Sequence, residues 1–365
     1  MKENSYRVSI ITVVRNGAET IEQTILSVLG QTYKNIEYII IDGQSTDGTL
    51  QIIEKYSQFI ASFISEADEG LYDAMNKGIQ RATGEIIGII NSDDWYAEDA
   101  VEQVVNHFNK YDVDVVYGNV VHVYQDGSKK LWKNTPLETI RYRTVVQHPS
   151  VFIKKNIYNQ YGGFDIDYSV SADYELLLRL YSKDIRFGFV NSIVAYYRRG
   201  GFSSKFHRKG IEEHREISLK YINSSLDKME TLGKIKDWYK WSSFSLEIKN
   251  RKQLLAELLC TYFQKDLQEI SILGTGIWSE ECYRALNGQI EVAFFADNDP
   301  TKWDKEIHGI KVVTPQEICD KDESILIAVR DDGEKIKEQL KRIKDVELKY
   351  VCLSELIDIF MERNF

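Results

Sequence analysis

The sequence predicts an α/β protein: a large domain built on a mostly parallel sheet with helices on both faces, a helical linker, and a second, smaller α/β unit. Three observations carry this. Short β-branched apolar runs alternate with amphipathic stretches through the first 208 residues, which is how a covered parallel sheet is written. The charge balance changes sign along the chain, from net −6 over residues 1–203 to +4 over 204–266 and −8 over 267–365. A strand, a glycine turn and a helix then begin afresh at Ile270. The expected domains are therefore 1–208, 209–266 and 267–365, and 365 residues suit two or three domains.

In the first domain the expected strands are Val8–Val14, Glu37–Ile41, Ser62–Ser65, Glu85–Ile90 and Val113–Tyr117. Ile21–Leu29 places Ile21, Ile25, Val28 and Leu29 at helical spacing, and Leu71–Ala82 does the same with Leu71, Met75, Gly78, Ile79 and Ala82. The middle segment reads as helix over Lys209–Tyr221 and Leu232–Phe263. Its Trp238, Trp241 and Phe244 stand among lysines, a mixture that suits either docking helices or peripheral contact with an anionic membrane surface. The last segment offers strands at Ile270–Leu273, Val292–Ala296, Ile325–Val329 and Lys349–Leu353, with a helix over Trp278–Leu286.

Composition removes whole classes of function. Gly and Pro together are 26 residues, too few for long disordered or collagen-like tracts. No uncharged stretch exceeds 11 residues, whereas a spanning helix needs about 20. Arg7 and Arg15 bracket a run too short for a signal peptide. Cys260, Cys282, Cys319 and Cys352 are far apart, which argues against a zinc ribbon or disulfide framework and suits a reducing compartment. A net charge of −10 makes nucleic acid a poor partner. The expected location is the cytoplasm, at most against the inner face of the membrane.

The informative residues follow the strands, because ligands of open α/β sheets sit beyond the strands' carboxyl ends. Glu37–Ile41 runs into Asp42, and Ile86–Ile90 runs into Asn91-Ser92-Asp93-Asp94. Parallel neighbours emerge at one edge, so these acids gather there and repel unless a cation joins them. Mg²⁺ or Mn²⁺ fits, since either takes one or two carboxylates and completes its shell with substrate phosphates. Asp47 reads as a cap for the helix near Thr49. Asp173 falls in the first turn of a helix carrying Tyr174, Leu177, Leu178 and Tyr181 on one face, where an acid also complements the helix dipole.

Taken in order, the motifs resemble the family 2 glycosyltransferases, inverting enzymes of the GT-A fold that use nucleotide-diphosphate sugars. The resemblance runs from about Val8 to about Ser204. It rests on Val8–Thr12, Ile41–Thr49, Asp68–Gly78, Ala82–Glu85, Asn91–Asp94, Gly162–Asp165 and Ala172–Glu175. It implies a hexosyl-transferring enzyme with a nucleotide-sugar donor and a glycan or lipid-linked acceptor. Asp42 is similar to the aspartate that bonds the donor's base or ribose. Asn91-Ser92-Asp93 holds the place of the family's D-x-D, with Asn91 in the first position and Asp94 extending it, so Asp93 and Asp94 are implied metal ligands. Asp173 matches the catalytic base. His207, 34 residues later, stands where some relatives carry a metal-binding histidine, although a solvated histidine beside Lys205 and Arg208 accounts for it equally. His148, in Gln147-His148-Pro149, reads rather as a buried, hydrogen-bonded histidine. Arg198 and Arg199 could meet diphosphate oxygens or be ordinary surface arginines.

In the last segment Gly274-x-Gly276-x-x-Ser279 resembles a dinucleotide-binding turn, and Asp297 lies 21 residues beyond Gly276, where an acid meets a ribose hydroxyl. Such Rossmann-like domains accompany sugar-modifying proteins, with nucleotide binding and an assembly role equally open. Two other functions remain in view: a non-catalytic sugar-nucleotide-binding subunit, and an NAD-linked oxidoreductase acting through this last domain. A nucleotidyltransferase would follow its first strand with a glycine-rich basic loop, and Val14–Glu19 is not one.

Overall fold

Seven residues of unbroken sheet-forming character, Val8–Val14, make a strand buried along its whole length. Its neighbours Ile36–Asp42 and Ile86–Asn91 are nearly as dry, so the centre of the sheet is covered on both faces. A computed structural model describes residues 6–132, 136–201, 206–222, 225–320, 324–330, 333–343 and 349–364. It divides into two compact units, Met1–Ile235 and Lys236–Phe365.

The first unit contains, in chain order, β1 (Val8–Val14), α1 (Ile21–Leu29), β2 (Ile36–Asp42), α2 (Thr49–Lys55), β3 (Ser62–Ser65), α3 (Leu71–Arg81), β4 (Ile86–Asn91), β5 (Trp95–Tyr96) and α4 (Ala100–Lys110). There follow β6 (Val115–Val123), β7 (Lys129–Leu131), β8 (Phe152–Lys154), α5 (Lys155–Tyr161), α6 (Ala172–Tyr181), β9 (Phe187–Arg198) and α7 (His207–Lys220). The strand order is β3-β2-β1-β4-β8-β6-β9-β5, with β7 paired to β6. Strands β3, β2, β1 and β4 are mutually parallel, as are β6 and β9. Between these blocks β8 runs antiparallel to both β4 and β6, and β5 closes the edge antiparallel to β9.

Period-two alternation sorts the apolar side chains. Ile11, Val13, Ile39, Ile41, Ile87 and Ile89 pack on one face with Met75 of α3 and Leu177 of α6. Ile10, Val14, Ile40, Ile86 and Ile90 pack on the other with Ile25 of α1 and Val104 of α4. The sequence motif Ala82-Thr83-Gly84 belongs to this framework. Glu37, 6 % exposed at the amino end of β2, accepts the N–H and hydroxyl of Thr83, both at 2.7 Å, and the hydroxyl of Ser9. A Cβ on Gly84 would lie 2.7 Å from the backbone of Arg7 and Ser9, so only glycine brings that loop close enough.

The expected middle segment is shared between the units. Helix α7 packs in the first, while α8 (Ser225–Asn250) begins in the first and ends in the second. A single helix to Phe263 was expected, but α8 stops at Asn250 and α9 (Leu254–Phe263) starts anew. Trp241 and Phe244, 4 % and 0 % exposed, lie in the core of the second unit, which removes them from any membrane-facing role. No helix among the described residues is long and apolar enough to cross a membrane.

The second unit continues with β10 (Glu269–Leu273), α10 (Ile277–Leu286), β11 (Glu291–Ala296), β12 (Glu306–Ile307), β13 (Ile310–Val313), α11 (Pro315–Asp320), β14 (Ile325–Ile327), α12 (Gly333–Ile343), β15 (Tyr350–Cys352) and α13 (Leu353–Asn364). Its order, β12-β13-β11-β10-β14-β15, is parallel except for the β12–β13 hairpin. Counting its parallel strands in chain order gives 3-2-1-4-5, a Rossmann-like winding.

Candidate active site

The carboxyl ends of the central strands form one edge. Val14 pairs with Asp42 on one side of β1, and Val13 with Asn91 on the other, each about 4.8 Å away across the sheet. Beyond this edge lies a cavity of about 420 Å³. Its wall is built from Arg15–Gly17 after β1, Asp68 and Leu71 around the start of α3, Asn91–Asp93 at and beyond the end of β4, Tyr197 near the end of β9 and Gly201 beyond it.

The Asp42–Thr49 segment clamps this wall. Ser45 accepts the Asn16 N–H at 2.8 Å, Thr49 the Gly17 N–H at 2.9 Å, and Asp47 the Ala18 N–H at 3.1 Å. Asp47 also turns back onto the N–H of Thr49 at 2.9 Å, so it ties two loops together as well as opening α2. Asp42 itself is 0 % exposed; its oxygens take the Ser45 N–H at 3.0 Å and the hydroxyls of Ser45 and Ser65. The structure thus sets Asp42 behind the wall, and the carboxylate of this region that lines the cavity is Asp68. Gly43 makes room for it, since a Cβ there would stand 2.2 Å from Asp68 Oδ2. The signal was present in Asp68-Glu69-Gly70, directly before a helix, but spacing gave no reason to rank it above Asp42.

The acidic turn after β4 divides its two carboxylates. Asp93 lines the cavity, and no side chain among the described residues donates to it. Burial raises its pKa above the ordinary carboxylate range, with the Arg198 charge opposing. Asp94 is wholly buried, one oxygen accepting the Arg198 N–H at 2.9 Å and the other without a partner among the described residues. Burial, and then the charge of Asp93, push Asp94 well up. Arg198 braces the turn further, donating from Nε to the Asp93 carbonyl at 3.2 Å and from Nη2 to Gln23 at 2.8 Å. Its guanidinium is therefore committed to the turn.

These donors fit a hard dication that brings most of its shell with it. Asp93 offers the cavity a carboxylate that no described side chain engages, and the buried Asn91 Oδ1 has no hydrogen-bond partner among the described residues. No group of three His, Cys, Asp or Glu side chains suited to a metal occurs among the described residues. His207, exposed at the start of α7, is thus not gathered with Asp93 and Asp94, and Ser203–Lys205 just before it lie outside the described residues.

Asp173 occupies the first turn of α6, half-buried. The Tyr72 hydroxyl lies 3.1 Å from its Oδ1 and 2.8 Å from the Val170 carbonyl. Leu71 and Ala74, in the same turn of α3 as Tyr72, line the cavity, so α3 carries both cavity wall and the hydroxyl that meets Asp173. Burial first, and Asp173 second, raise the Tyr72 pKa far enough to keep its proton. Asn76, further along α3, exchanges two hydrogen bonds with the backbone of Phe164, at 2.8 and 2.9 Å, joining the α3 motif to Gly162–Asp165. His148 departs from the sequence reading: its Nε2 is buried but has no hydrogen-bond partner among the described residues. Its ring meets Phe164 edge-on at 5.9 Å, and burial pushes its pKa down against the pull of Asp173.

The support of α6 has a pH signature. His214 of α7 stacks on Tyr174 of α6 at 4.0 Å, with Nε2 2.9 Å from Thr144 Oγ1, and burial pushes its pKa down to about 3. An unfolded histidine titrates near 6.5. The unfolded chain therefore takes up the proton first, and stability present above pH ~6.5 is lost as pH falls toward 3, by up to about 1.4 kcal/mol per pH unit. We expect His214→Gln to make Tm fall less steeply between pH 6.5 and 4; an unchanged slope would refute the assignment.

In the second unit Gly274 has φ +115° and abuts Ser279 and Val329, so glycine is required there, whereas a Cβ on Gly276 would meet nothing within 4 Å. Asp297, at the end of β11, already accepts from Thr275 Oγ1, Lys302 Nζ at 3.0 Å and the Asp299 N–H at 2.9 Å. Burial raises its pKa, but these donors outweigh it and hold the carboxyl below its ordinary value.

Comparison with known proteins bears on this geometry. A profile for glycosyl transferase family 2 matches residues 9–174. An uncharacterised glycosyltransferase of Mycobacterium tuberculosis is 32 % identical over 178 residues, covering 47 % of this chain and 68 % of the relative. The chain belongs to glycosyl transferase family 2. It is a glycosyltransferase, and the motif-bearing segment is its GT domain. A PGL/p-HBAD biosynthesis glycosyltransferase of Mycobacterium bovis is 27 % identical over 204 residues, 54 % of this chain and 78 % of that one. Residues 267–350 match a domain described as C2185-like, N-terminal. Among solved structures, Staphylococcus aureus TarS 1–349 superposes with TM-score 0.51 at 17 % identity, over 69 % of this chain and 79 % of TarS 1–349. The mannosyltransferase PcManGT from Pyrobaculum calidifontis, solved with GDP-Man and Mn²⁺, gives 0.51 at 18 %, over 65 % and 72 %. These likenesses establish the GT-A fold of this family 2 enzyme.

Proposed function

We propose that this glycosyltransferase moves a sugar, with inversion, from a nucleotide-diphosphate sugar to the hydroxyl of a glycan or lipid-linked acceptor, and that it depends on Mn²⁺ or Mg²⁺. The observation that carries the reading is an Asp93 carboxylate that lines the cavity and that no described side chain engages, together with Asp173, which the hydroxyl of Tyr72 on the cavity-lining helix α3 reaches at 3.1 Å. Solved relatives in fold are described in complex with UDP, with UDP-GlcNAc and with GDP-Man and Mn²⁺, which supports the donor class. The role of a relative in PGL/p-HBAD biosynthesis supports glycan or glycolipid assembly.

In this reading Asp68 meets the donor's base or ribose from the cavity wall, and Asp42 fixes the loop opposite. Asp93, with Asn91 and the buried Asp94 behind it, holds the cation. A bound Mg²⁺ or Mn²⁺ supplies Lewis-acid compensation for the charge growing on the departing nucleoside diphosphate. Asp173 takes the proton of the acceptor hydroxyl as that oxygen attacks the anomeric carbon. The Tyr72 hydroxyl keeps the carboxylate oriented for that transfer. Attack opposite the leaving group forms the new C–O bond as the sugar–phosphate bond breaks, so no covalent enzyme intermediate is needed. NMR of the product settles this: an α-linked donor should give a β-linked glycoside, and a retained α linkage would contradict the assignment.

A further inference from the structure

The base is not held by its own helix alone. The three N–H groups just before α6 converge on one carboxylate from another element, Glu213 of α7, which is 6 % exposed. Glu213 Oε1 accepts from Ser169 N at 3.0 Å, and Oε2 from Val170 N at 3.0 Å and Ser171 N at 2.8 Å. The Ser169 hydroxyl adds a contact at 3.3 Å. Ser171 is the N-cap position of α6 and makes no capping bond of its own; Glu213 binds the N–H groups of the N-cap and the two residues before it, and sets beside the helix start the negative charge that such a start favours. The other side of this strap is read by Tyr72, whose hydroxyl reaches both the Val170 carbonyl at 2.8 Å and Asp173 Oδ1 at 3.1 Å. Asp173 is two residues beyond Ser171, and Ala172 between them is fully buried.

We propose that Glu213 is a positioning residue for Asp173: by fixing residues 169–171 it sets where the base carboxylate stands relative to the acceptor hydroxyl. The proposal rests on the reading of Asp173 as base. A carboxylate is suited to this because it only accepts; the amide of a glutamine presents one oxygen and turns an N–H₂ toward the remaining backbone N–H. A misplacement of about 1 Å at a reacting group costs on the order of 100-fold in rate.

The test compares Glu213→Gln, Asp173→Asn and the double variant. Binding of UDP and GDP with Mn²⁺ is measured by calorimetry, and nucleotide release from the matching nucleotide sugar gives turnover. Glu213→Gln should lower kcat about 10–100-fold, with donor KM and nucleotide affinity within about twofold of wild type, and should cause no further loss in the Asp173→Asn background. Unchanged kcat, or a further loss of the same size in that background, would overturn the proposal while leaving Asp173 as base. Wild-type turnover in Asp173→Asn would instead overturn the reading beneath it. Should Glu213→Gln bind no nucleotide, Glu213→Asp carries the same test, because it retains the buried charge while drawing the carboxylate back by one methylene. A lowered kcat with affinity kept supports the proposal, and an unchanged kcat overturns it.

Discussion

Replacing Asp173 with asparagine should reduce turnover by about 10²–10⁴-fold, the usual contribution of a general base, while nucleotide affinity and Tm stay near wild type. The substitution is conservative for the fold: Asn keeps an oxygen for the Tyr72 hydroxyl, the hydrogen bond now made at 3.1 Å to Oδ1, and stays in the first turn of α6. What it removes is the ability to take a proton. Since Asp173 does not line the cavity assigned to the donor, donor binding has no reason to change. Turnover near wild type would mean that the acceptor proton leaves by another route, and the mechanism proposed above would be wrong.

Asp93→Asn should act on the opposite half of the site. Among the described residues no side chain donates to the Asp93 carboxylate, Asn keeps its size, and burial already disfavours its charge. Folding stability should therefore hold or rise slightly. Metal-dependent nucleotide affinity should fall about 10–100-fold, the range for losing a strong charged contact of about 1.5–3 kcal/mol. A Mn²⁺ titration of nucleotide binding checks this, and an unaltered metal response would remove Asp93 from the site. Asp94→Asn should have the smaller effect on binding. Asp94 is sealed behind the turn and bonded to the Arg198 N–H, so it acts through the shape of the turn.

Much of the framework was legible because its signals are local. Val8–Val14 is β-branched at every position but Ser9, Ile21–Leu29 carries its apolar residues at helical spacing, Ser62–Ser65 centres on Phe-Ile, and the limits of all three coincide with the elements found. The convergence of Asp42 and Asn91 beside the end of β1 followed from parallel order alone. What escaped depended on partners distant in the chain. Asp42 looks like a ligand until Ser45 and Ser65 are seen to fill its oxygens. Trp241 and Phe244 look amphipathic until the second unit's core closes on them. Strands β5 and β8 are two and three residues long, too short for periodicity, yet β8 is what joins the two parallel blocks. The break between α8 and α9 falls in Arg251-Lys252-Gln253, with neither glycine nor proline to announce it.

The central claim, a cation-dependent nucleotide-sugar cavity at the ends of β1 and β4, is tested most directly by thermal shift. UDP and GDP are added to the wild-type enzyme and to Asp93→Asn, with Mn²⁺, with Mg²⁺ and with chelator. The account predicts that at least one nucleotide raises the wild-type Tm when a dication is present, with little shift in chelator and little in the variant. An equal shift in chelator, an equal shift in Asp93→Asn, or no shift with either nucleotide would contradict it.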